Sequence, residues 1–458
     1  MSGINLLLAS LYVLTTVALV LLVSRQQRWK VLLATCLLFY YLLVGEKIAA
    51  VVILSIITYT FSHLIHSGRN VIWIAVALLL LPLVFWKSMS DGNHFENYQT
   101  LVVSPDDWLS LFQIVGLSYF TFNSISYLID IKRKYITPEN NFFFLLLYLI
   151  YFPAIFSGPL HRAKYLFAEF RQIEVTDQSL ARGLRLILWG LFKNIVIAQR
   201  LFILMKQLQN SEIGGMYYLV IGLLFFLYLY CNFSSFVDFF QGVSAILSIR
   251  LKHNFRNRVY LSSSRQEFWQ GWHITLNQWF RDYFFFALSG YDKKRKYVDL
   301  LLLLTFLFIA LWHETSTVMV IWGLMNGLWI VLEKKIKFSK WKHTVFRKVG
   351  GIAYHLSIAA VLALIFISPE PGFLYNKIIS SPTRLPGNFI GQYLSSILVI
   401  LVCIGVMDYH YARAKDVSID EYLHRKPLLS RWLIYGKLIA IILIFGKSAG
   451  IENYYIQF

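Results

Sequence analysis

The sequence predicts an all-α, polytopic membrane protein of about 11 to 13 helices, tilted and partly re-entrant, around an internal cavity. Of the 458 residues, 57% are hydrophobic and 17% are aromatic, and the apolar residues form long runs rather than a strand-like or helix-like alternation. Several runs are shorter than the roughly 20 residues that cross a bilayer perpendicularly. Tilted or interrupted helices would account for these short runs. No internal repeat or soluble-domain-sized stretch is visible, so residues 1–458 are predicted to form one integral-membrane domain.

An excess of Lys and Arg over Asp and Glu gives the chain a formal net charge of +19. Lys and Arg concentrate in the loops between apolar runs, as in the cytoplasmic loops of membrane proteins. This pattern favours membrane lipids and an acidic cytosolic partner over nucleic acid. Cys36, Cys231 and Cys403 all lie within apolar runs. Their odd number and wide spacing predict neither a disulfide framework nor a metal site.

The amino-terminal part of the chain predicts a consistent topology. The run 4–23 has no basic residue before it and no small-residue cleavage site, which favours a retained first helix over a signal peptide. Basic residues follow at 25–30, so the amino terminus is predicted to be extracytoplasmic. The acidic loop 87–107 then fits the outer face, and the chain returns to the cytoplasm near Lys132. The spans predicted here are 31–45, 48–64, 71–86 and 108–130.

The middle of the chain departs from simple alternation. Pro153 interrupts the run 142–156, and the loop that follows is basic. A full crossing would put that loop on the wrong side of the membrane. We therefore predict a broken or re-entrant helix, because irregular backbone is tolerated at depth where protein or water covers it. Later spans are predicted near 184–198, 216–231, 233–249, 298–312, 316–332, 352–368, 388–407 and 432–446.

His313 is a functional candidate because an ionisable side chain is costly at membrane depth. It follows the run 298–312, and basic flanks on both sides of 298–332 predict a helical hairpin. The first arm would rise about 22 Å at ~1.5 Å per residue. His313 is therefore predicted to lie well across the membrane, towards the outer half. An ordinary polar hairpin tip explains its position equally well.

His273 lies in the aromatic-rich stretch 268–288, which also carries charged and amide side chains. If the stretch is one helix, His273, Asn277 and Arg281 share a face that resembles a cavity wall. An interior histidine that pins a helix through hydrogen bonds is an equally good explanation of His273. For Asp282, a local ion pair with Arg281 is favoured over a chemical role.

A neutral imidazole can take a proton from a hydroxyl as its oxygen attacks an acyl carbon. The sequence has no Gly-x-Ser-x-Gly elbow, Walker loop, His-Glu-x-x-His or dinucleotide fingerprint. Direct transfer from a thioester donor to a hydroxyl therefore needs the least machinery, and no bound cofactor is predicted. A transporter of an envelope precursor, whose cavity histidines bind substrate without covalent chemistry, is the alternative from another class.

Seven short blocks stand in a specific order along the chain. They are 116–122 with Tyr127 and Asp130, Phe152-Pro153 with Ser157-Gly158-Pro159 and Arg162, 190–193, Phe233 with Asp238, Asn254-Phe255, 268–283, and Trp312-His313 with 322–324. On these blocks the chain resembles the membrane-bound O-acyltransferases over a core of about 110–335. The resemblance is to the bacterial branch with proteins of alginate O-acetylation and of D-alanyl transfer to teichoic acid.

The resemblance implies that His313 is the catalytic histidine and that His273 faces the same tunnel. It also implies a ring of tilted helices around a funnel, where a cytoplasmic donor and an extracytoplasmic acceptor meet. Glu314 replaces the glycine usual after the family's histidine, and it either orients His313 or faces the outer water. Asn326 stands where a histidine is common in the family. The remaining predicted substrate or tunnel residues are Asn277, Arg281, Trp312, Asn326, Ser157 and Arg162.

The predicted function is transfer of a small acyl group, acetyl ahead of D-alanyl, with His313 as general base. The donor would be acetyl-CoA or an acyl carrier protein on the cytoplasmic side. The acceptor would be a hydroxyl on an extracytoplasmic glycan or teichoic-acid-like polymer, reached directly or through a periplasmic or extracellular acyltransferase partner. The predicted location is the inner or plasma membrane of the cell.

Overall fold

A computed structural model describes residues 3–89, 116–155, 158–290, 296–336 and 345–447. Helices account for the regular structure of these ranges, apart from an isolated bridge between Gly214 and Arg384. Within these ranges, seven helical segments are long and apolar enough to cross a membrane. The chain is therefore an all-α, multi-pass membrane protein, as predicted. The seven segments are Arg25–His66, Asp177–Gln209, Gly215–Ile246, Thr317–Lys335, Lys348–Ile367, Phe389–Ala414 and Leu428–Phe445.

The amino-terminal helices match the predicted runs closely. They are α1 (Gly3–Leu22), α2 (Arg28–Val44), α3 (Ile48–His66), α4 (Ile72–Met89) and α5 (Leu117–Lys132). The acidic loop predicted at 87–107 falls mostly outside the described residues, as does the first part of the span predicted at 108–130.

The predicted interruption near Pro153 is present. Helix α6 (Phe142–Ile150) ends just before Tyr151, and the short α7 (Phe152–Ile155) follows. Proline has no backbone N–H to donate, so it is compatible with the first turn of the new helix but not with a continuous one. Every residue of α7 is buried, so protein covers the irregular backbone. Helix α8 (Ala163–Phe170) comes next.

Two long, closely packed segments form the centre of the molecule. Helix α9 (Asp177–Leu191) continues through a π-helical segment, Phe192–Ala198, into α10 (Gln199–Gln209), and α11 (Leu219–Ile246) packs against α9. A Cβ on Gly183 would lie 2.6 Å from the carbonyl oxygen of Gly242, and a Cβ on Gly242 2.7 Å from that of Gly183. Small residues at this contact let the two backbones approach.

The prediction of separate spans at 216–231 and 233–249 is wrong, because both belong to α11. The polar residues near its midpoint, including Asn232 and Ser235, are buried, and the Ser235 hydroxyl donates to the Asn232 carbonyl within the helix. They therefore do not form an exposed turn. The 28 residues of α11 rise about 42 Å, longer than the ~30 Å hydrocarbon core, so the helix is tilted or extends beyond that core.

The stretch 268–288 is also not one helix, which corrects the predicted face of His273, Asn277 and Arg281. It consists of α12 (Arg265–Gly271), α13 (Ile274–Trp279), the π-helical segment Phe280–Phe285 and α14 (Phe286–Ser289). His273 lies between α12 and α13 with φ 42° and ψ 53°. A left-handed residue breaks the helical repeat, so spacings of four no longer define a face.

The predicted hairpin is confirmed. Helix α15 (Val298–His313) packs against α16 (Thr317–Lys335), with His313 as the last residue of the first arm. A Cβ on Gly323 would lie 2.7 Å from the Phe306 carbonyl oxygen, so the arms are in close contact. The remaining helices are α17 (Val345–Ile367), α18 (Pro371–Leu374), α19 (Phe389–Ala414), α20 (Ile419–His424) and α21 (Leu428–Phe445).

Candidate active site

His273 and His313 line the same internal cavity, which has a volume of about 50 Å³. Residues of α11, α12, α13, α15, α16 and α17 form its walls, which are mainly aromatic and aliphatic. Arg265 is the other charged or titratable residue among the lining side chains. Because roughly 10–15 Å³ holds one water molecule, the cavity has room for a few waters or a small acyl group.

His313 is held at the tip of the α15–α16 hairpin. Its side chain is 6% exposed. Its ring lies among aromatic rings, with centroid distances of 4.4 Å to Trp312, 6.0 Å to Trp322 and 5.7 Å to Phe366. These contacts leave the imidazole little freedom to rotate.

A lysine from a distant part of the sequence fixes the backbone at this tip. Lys87, near the end of α4, donates from Nζ to the carbonyl oxygen of His313 at 2.8 Å. The Thr315 hydroxyl in turn donates to the Lys87 carbonyl at 3.3 Å. Glu314 is half-buried, and within the described part of the chain its carboxylate makes no hydrogen bond to the His313 ring. The structure thus anchors His313 through its backbone, a contact that the sequence did not indicate.

His273 has a protein partner at each ring nitrogen. Its Nδ1 lies 3.3 Å from Asn254 Oδ1, and its Nε2 lies 3.4 Å from the Tyr119 hydroxyl. The Thr275 backbone N–H also donates to Asn254 Oδ1, at 3.1 Å. Since a backbone N–H requires an acceptor, this bond fixes the orientation of the Asn254 amide. The Nδ1 of His273 is therefore the donor, and its Nε2 accepts from Tyr119.

Arg265 brings a buried cation to the cavity. It is 3% exposed, and its guanidinium lies 4.4 Å from the Phe268 ring centroid. Its Nη2 donates to Asn326 Oδ1 at 2.8 Å, and Trp269 Nε1 donates to the same oxygen at 3.2 Å. Asn326 was predicted to be a substrate or tunnel residue. The structure shows it behind the cavity wall, where it holds two side chains that line the cavity.

The other predicted site residues are not among the side chains that line this cavity. Asn277 Nδ2 donates to the carbonyls of Trp269 and Trp272, so its amide closes the end of α12. The side chain of Arg281 is 54% exposed and pairs with Asp282 at 2.9 Å.

Arg162 and Trp312 also lie outside the cavity lining. Arg162 pairs with Asp282 at 2.9 Å and covers the Tyr283 ring at 4.2 Å, in a separate polar cluster. Trp312 packs next to His313 and towards Phe122 of α5. Ser157 lies outside the described residues.

Sequence reasoning missed the roles of three residues near the two histidines. Tyr119 and Asn254 lay in blocks that carried the family resemblance, but nothing in the pattern paired them with His273. Arg265 stood in a basic stretch that resembled an exposed loop. Its burial depends on Asn326 and on Glu333, which accepts from the Arg265 backbone N–H at 2.8 Å. Both partners lie on α16.

The fold and the cavity define a class: multi-pass membrane proteins that hold two buried histidines in one small, largely apolar cavity. The model of the membrane-bound O-acyltransferase family matches residues 71–347, more than half of the chain. The chain belongs to this family. The match includes both histidines and the α15–α16 hairpin.

Curated relatives narrow the comparison. The chain is 32% identical over 225 residues to the probable alginate O-acetylase of Pseudomonas aeruginosa, covering 48% of this chain and 43% of that protein. It is 26% identical over 336 residues to the peptidoglycan O-acetyltransferase of Helicobacter pylori, covering 65% and 63%. It is 26% identical over 251 residues to the teichoic acid D-alanyltransferase of Bacillus subtilis, covering 51% and 62%. Matches to the alginate proteins span about half of their length or less.

Proposed function

We propose that this chain transfers a small acyl group, acetyl ahead of D-alanyl, from a cytoplasmic thioester to a hydroxyl on an extracytoplasmic glycan or other envelope polymer. The observation that carries the proposal is the shared cavity of His313 and His273. Family membership and the names of the relatives support acyl transfer. We further propose that the tilted helices form a funnel around this cavity and that the amino terminus is extracytoplasmic.

His313 acts as the general base in this proposal. Its imidazole takes the proton from the acceptor hydroxyl while that oxygen bonds to the thioester carbonyl carbon. When the tetrahedral intermediate collapses, the carbon–sulfur bond breaks and the sulfur leaves as a thiolate. The imidazolium then returns the proton to that sulfur. No bound cofactor is needed, and acetyl-CoA or an acyl-loaded carrier protein would be consumed as a substrate.

The volume of the cavity also supports a limit on the size of the acyl group. A volume of about 50 Å³ between the rings of Trp269, Trp272 and Trp322 suits two or three carbon atoms and not a long chain. Acetyl fits the mainly apolar walls, whereas the D-alanyl group carries an ammonium whose unpaired burial there would be costly. D-alanyl transfer remains the second candidate, since two relatives are teichoic acid D-alanyltransferases.

The test replaces His313 by alanine in cells whose envelope esterification depends on this chain. It then measures the ester content of the isolated envelope polymer. Mild base releases acetate or D-alanine, which identifies the group transferred. We expect the ester content formed per unit time to fall by roughly 10² to 10⁴-fold, the range for a lost general base. The matched control is His410→Ala, since His410 is another buried histidine, on α19, and should retain wild-type ester levels.

Two results would overturn the proposal. Wild-type ester content in the His313→Ala cells would exclude this histidine as the base. Purified wild-type protein that binds envelope precursors but never releases free thiol from acetyl-CoA or an acyl-loaded carrier protein would favour a transporter. Detergent-extracted protein of normal yield and thermal stability would show that the variant is folded.

A further inference from the structure

A second cavity, of about 680 Å³, lies far from the two histidines. The start of α9, the end of α11 and parts of α20 and α21 form its walls. Ala245 of α11 lines it, whereas Phe226 of the same helix lines the histidine cavity. These two residues are separated by about 28 Å of helical rise. The second cavity is therefore a distinct site near the opposite end of α11.

This cavity has an excess of positive charge. Its lining contains four arginines and three carboxylates: Arg182, Arg185, Arg250, Arg431, Asp177, Asp420 and Glu421. Two of the carboxylates already have partners, because Asp420 pairs with Arg182 at 2.8 Å and Glu421 pairs with Arg425. Three arginines therefore face Asp177 alone, so the cavity favours an anion.

Arg185 gives the strongest evidence that an anion belongs there. Its side chain is 9% exposed, and no described residue accepts a hydrogen bond from its Nε. The Nε of Arg431, across the cavity, likewise lacks an acceptor in the described ranges. A buried guanidinium donor without an acceptor is costly, and an oxyanion between the two arginines would remove that cost.

The surroundings of the cavity have the residue composition expected at a membrane surface. Arg28 donates to the carbonyl of Ile173, just before α9, at 3.0 Å, and Arg25 pairs with Glu174. Basic residues concentrated at one end of a helical bundle mark its cytoplasmic side. Helix α21 presents apolar residues outwards, with Leu429 73% and Trp432 66% exposed beside Arg431. Exposed tryptophan next to arginine is typical of the bilayer interface.

We propose that this cavity binds the phosphate headgroup of an anionic phospholipid of the cytoplasmic leaflet. The phosphate oxygens accept from Arg185 and Arg431, and the acyl chains lie along the exposed face of α21. Basic pockets between membrane helices on the cytoplasmic side are known to hold such headgroups. Free phosphate offers the same oxygen acceptors but lacks chains that α21 could hold.

The experiment measures binding of phosphatidylglycerol to the purified full-length protein in neutral detergent, by native mass spectrometry and by thermal stabilisation. The test variant is Arg185→Gln/Arg431→Gln. Each basic residue contributes about 1 kcal/mol at an anionic surface, or about fivefold in affinity, so binding should weaken by roughly 30-fold. Arg431→Gln alone, on the less buried side, should weaken it about fivefold and serves if the double variant does not fold. The matched control is Lys134→Gln/Lys164→Gln, which removes the same charge from exposed positions and should bind like wild type.

Three outcomes would overturn the proposal. Unchanged phosphatidylglycerol binding by Arg431→Gln and by the double variant would show that neither arginine binds the lipid. Equal stabilisation by inorganic phosphate at the same concentration would make it a free-anion site. Stabilisation by coenzyme A that the Arg185→Gln/Arg431→Gln variant abolishes would assign the cavity to the phosphates of a donor instead.

Discussion

Asn326 links two walls of the histidine cavity, and replacing it by leucine tests that link. Its Oδ1 accepts from Arg265 Nη2 at 2.8 Å and from Trp269 Nε1 at 3.2 Å. Losing the hydrogen bond to a charged group costs about 1.5–3 kcal/mol, and losing the neutral one about 0.5–1.5 kcal/mol. We therefore expect Asn326→Leu to lower the free energy of unfolding by about 2–4.5 kcal/mol, since leucine is close to asparagine in size but accepts no hydrogen bond.

A double-mutant cycle separates this effect from simple loss of packing. In an Arg265→Met background, no guanidinium remains to lose its acceptor, so the further cost of Asn326→Leu should fall by about 1.5–3 kcal/mol. Equilibrium unfolding in mixed micelles of lipid and denaturing detergent measures all four proteins. Asn210→Leu is the control, because Asn210 is exposed at the end of α10. Strictly additive costs for Arg265→Met and Asn326→Leu would refute the link.

Other contacts give further predictions. Lys193 is 1% exposed and pairs with Asp238 at 2.6 Å, so Lys193→Met should destabilise the protein by about 3–5 kcal/mol in the same unfolding assay. The double variant Lys193→Met/Asp238→Leu should recover much of the lost stability, and no recovery would contradict the pairing. Gly183→Ala puts a Cβ 2.6 Å from a backbone oxygen of α11 and should lower the midpoint of thermal unfolding. Gly405→Ala is the control, because a Cβ at Gly405 would have no heavy atom within 4 Å and should leave the midpoint unchanged. Equal midpoints for the two variants would contradict the close α9–α11 contact. Tyr119→Phe removes the hydroxyl that donates to His273 Nε2. It should reduce the rate of acyl transfer about 2- to 10-fold without changing protein yield. An unchanged rate would show that this hydrogen bond does not hold the cavity wall in place.

The α15–α16 hairpin was predictable because its signals are local. A basic flank, an apolar run and a short polar turn that starts at Glu314 suffice to place His313 at a tip. The interruption at Pro153 was predictable for a similar reason, since proline constrains its own backbone and removes a donor.

Features that depend on distant contacts were not predictable. The predicted spans 216–231 and 233–249 left a gap at Asn232, but Asn232 lies inside α11 and is buried there with the polar residues next to it. The break at His273 has no glycine or proline at the residue itself, and its left-handed backbone occurs where Asn254 holds the ring and the start of α13. Arg265 resembled a loop cation because its acceptor Asn326 lies on α16, more than fifty residues later.

The contacts of His273 bear on which of the two cavity histidines is the base in the proposed reaction. His273 donates from Nδ1 to Asn254 and accepts at Nε2 from Tyr119. To take a proton from a substrate hydroxyl, it would first have to give up the Tyr119 hydrogen bond, at a cost of about 0.5–1.5 kcal/mol. His313 is held differently, by Lys87 at its backbone and by aromatic rings around its side chain. The cost of freeing Nε2 therefore argues against His273 as the base in the proposed reaction, and it favours a supporting role in which His273 holds α13 and the cavity wall in place.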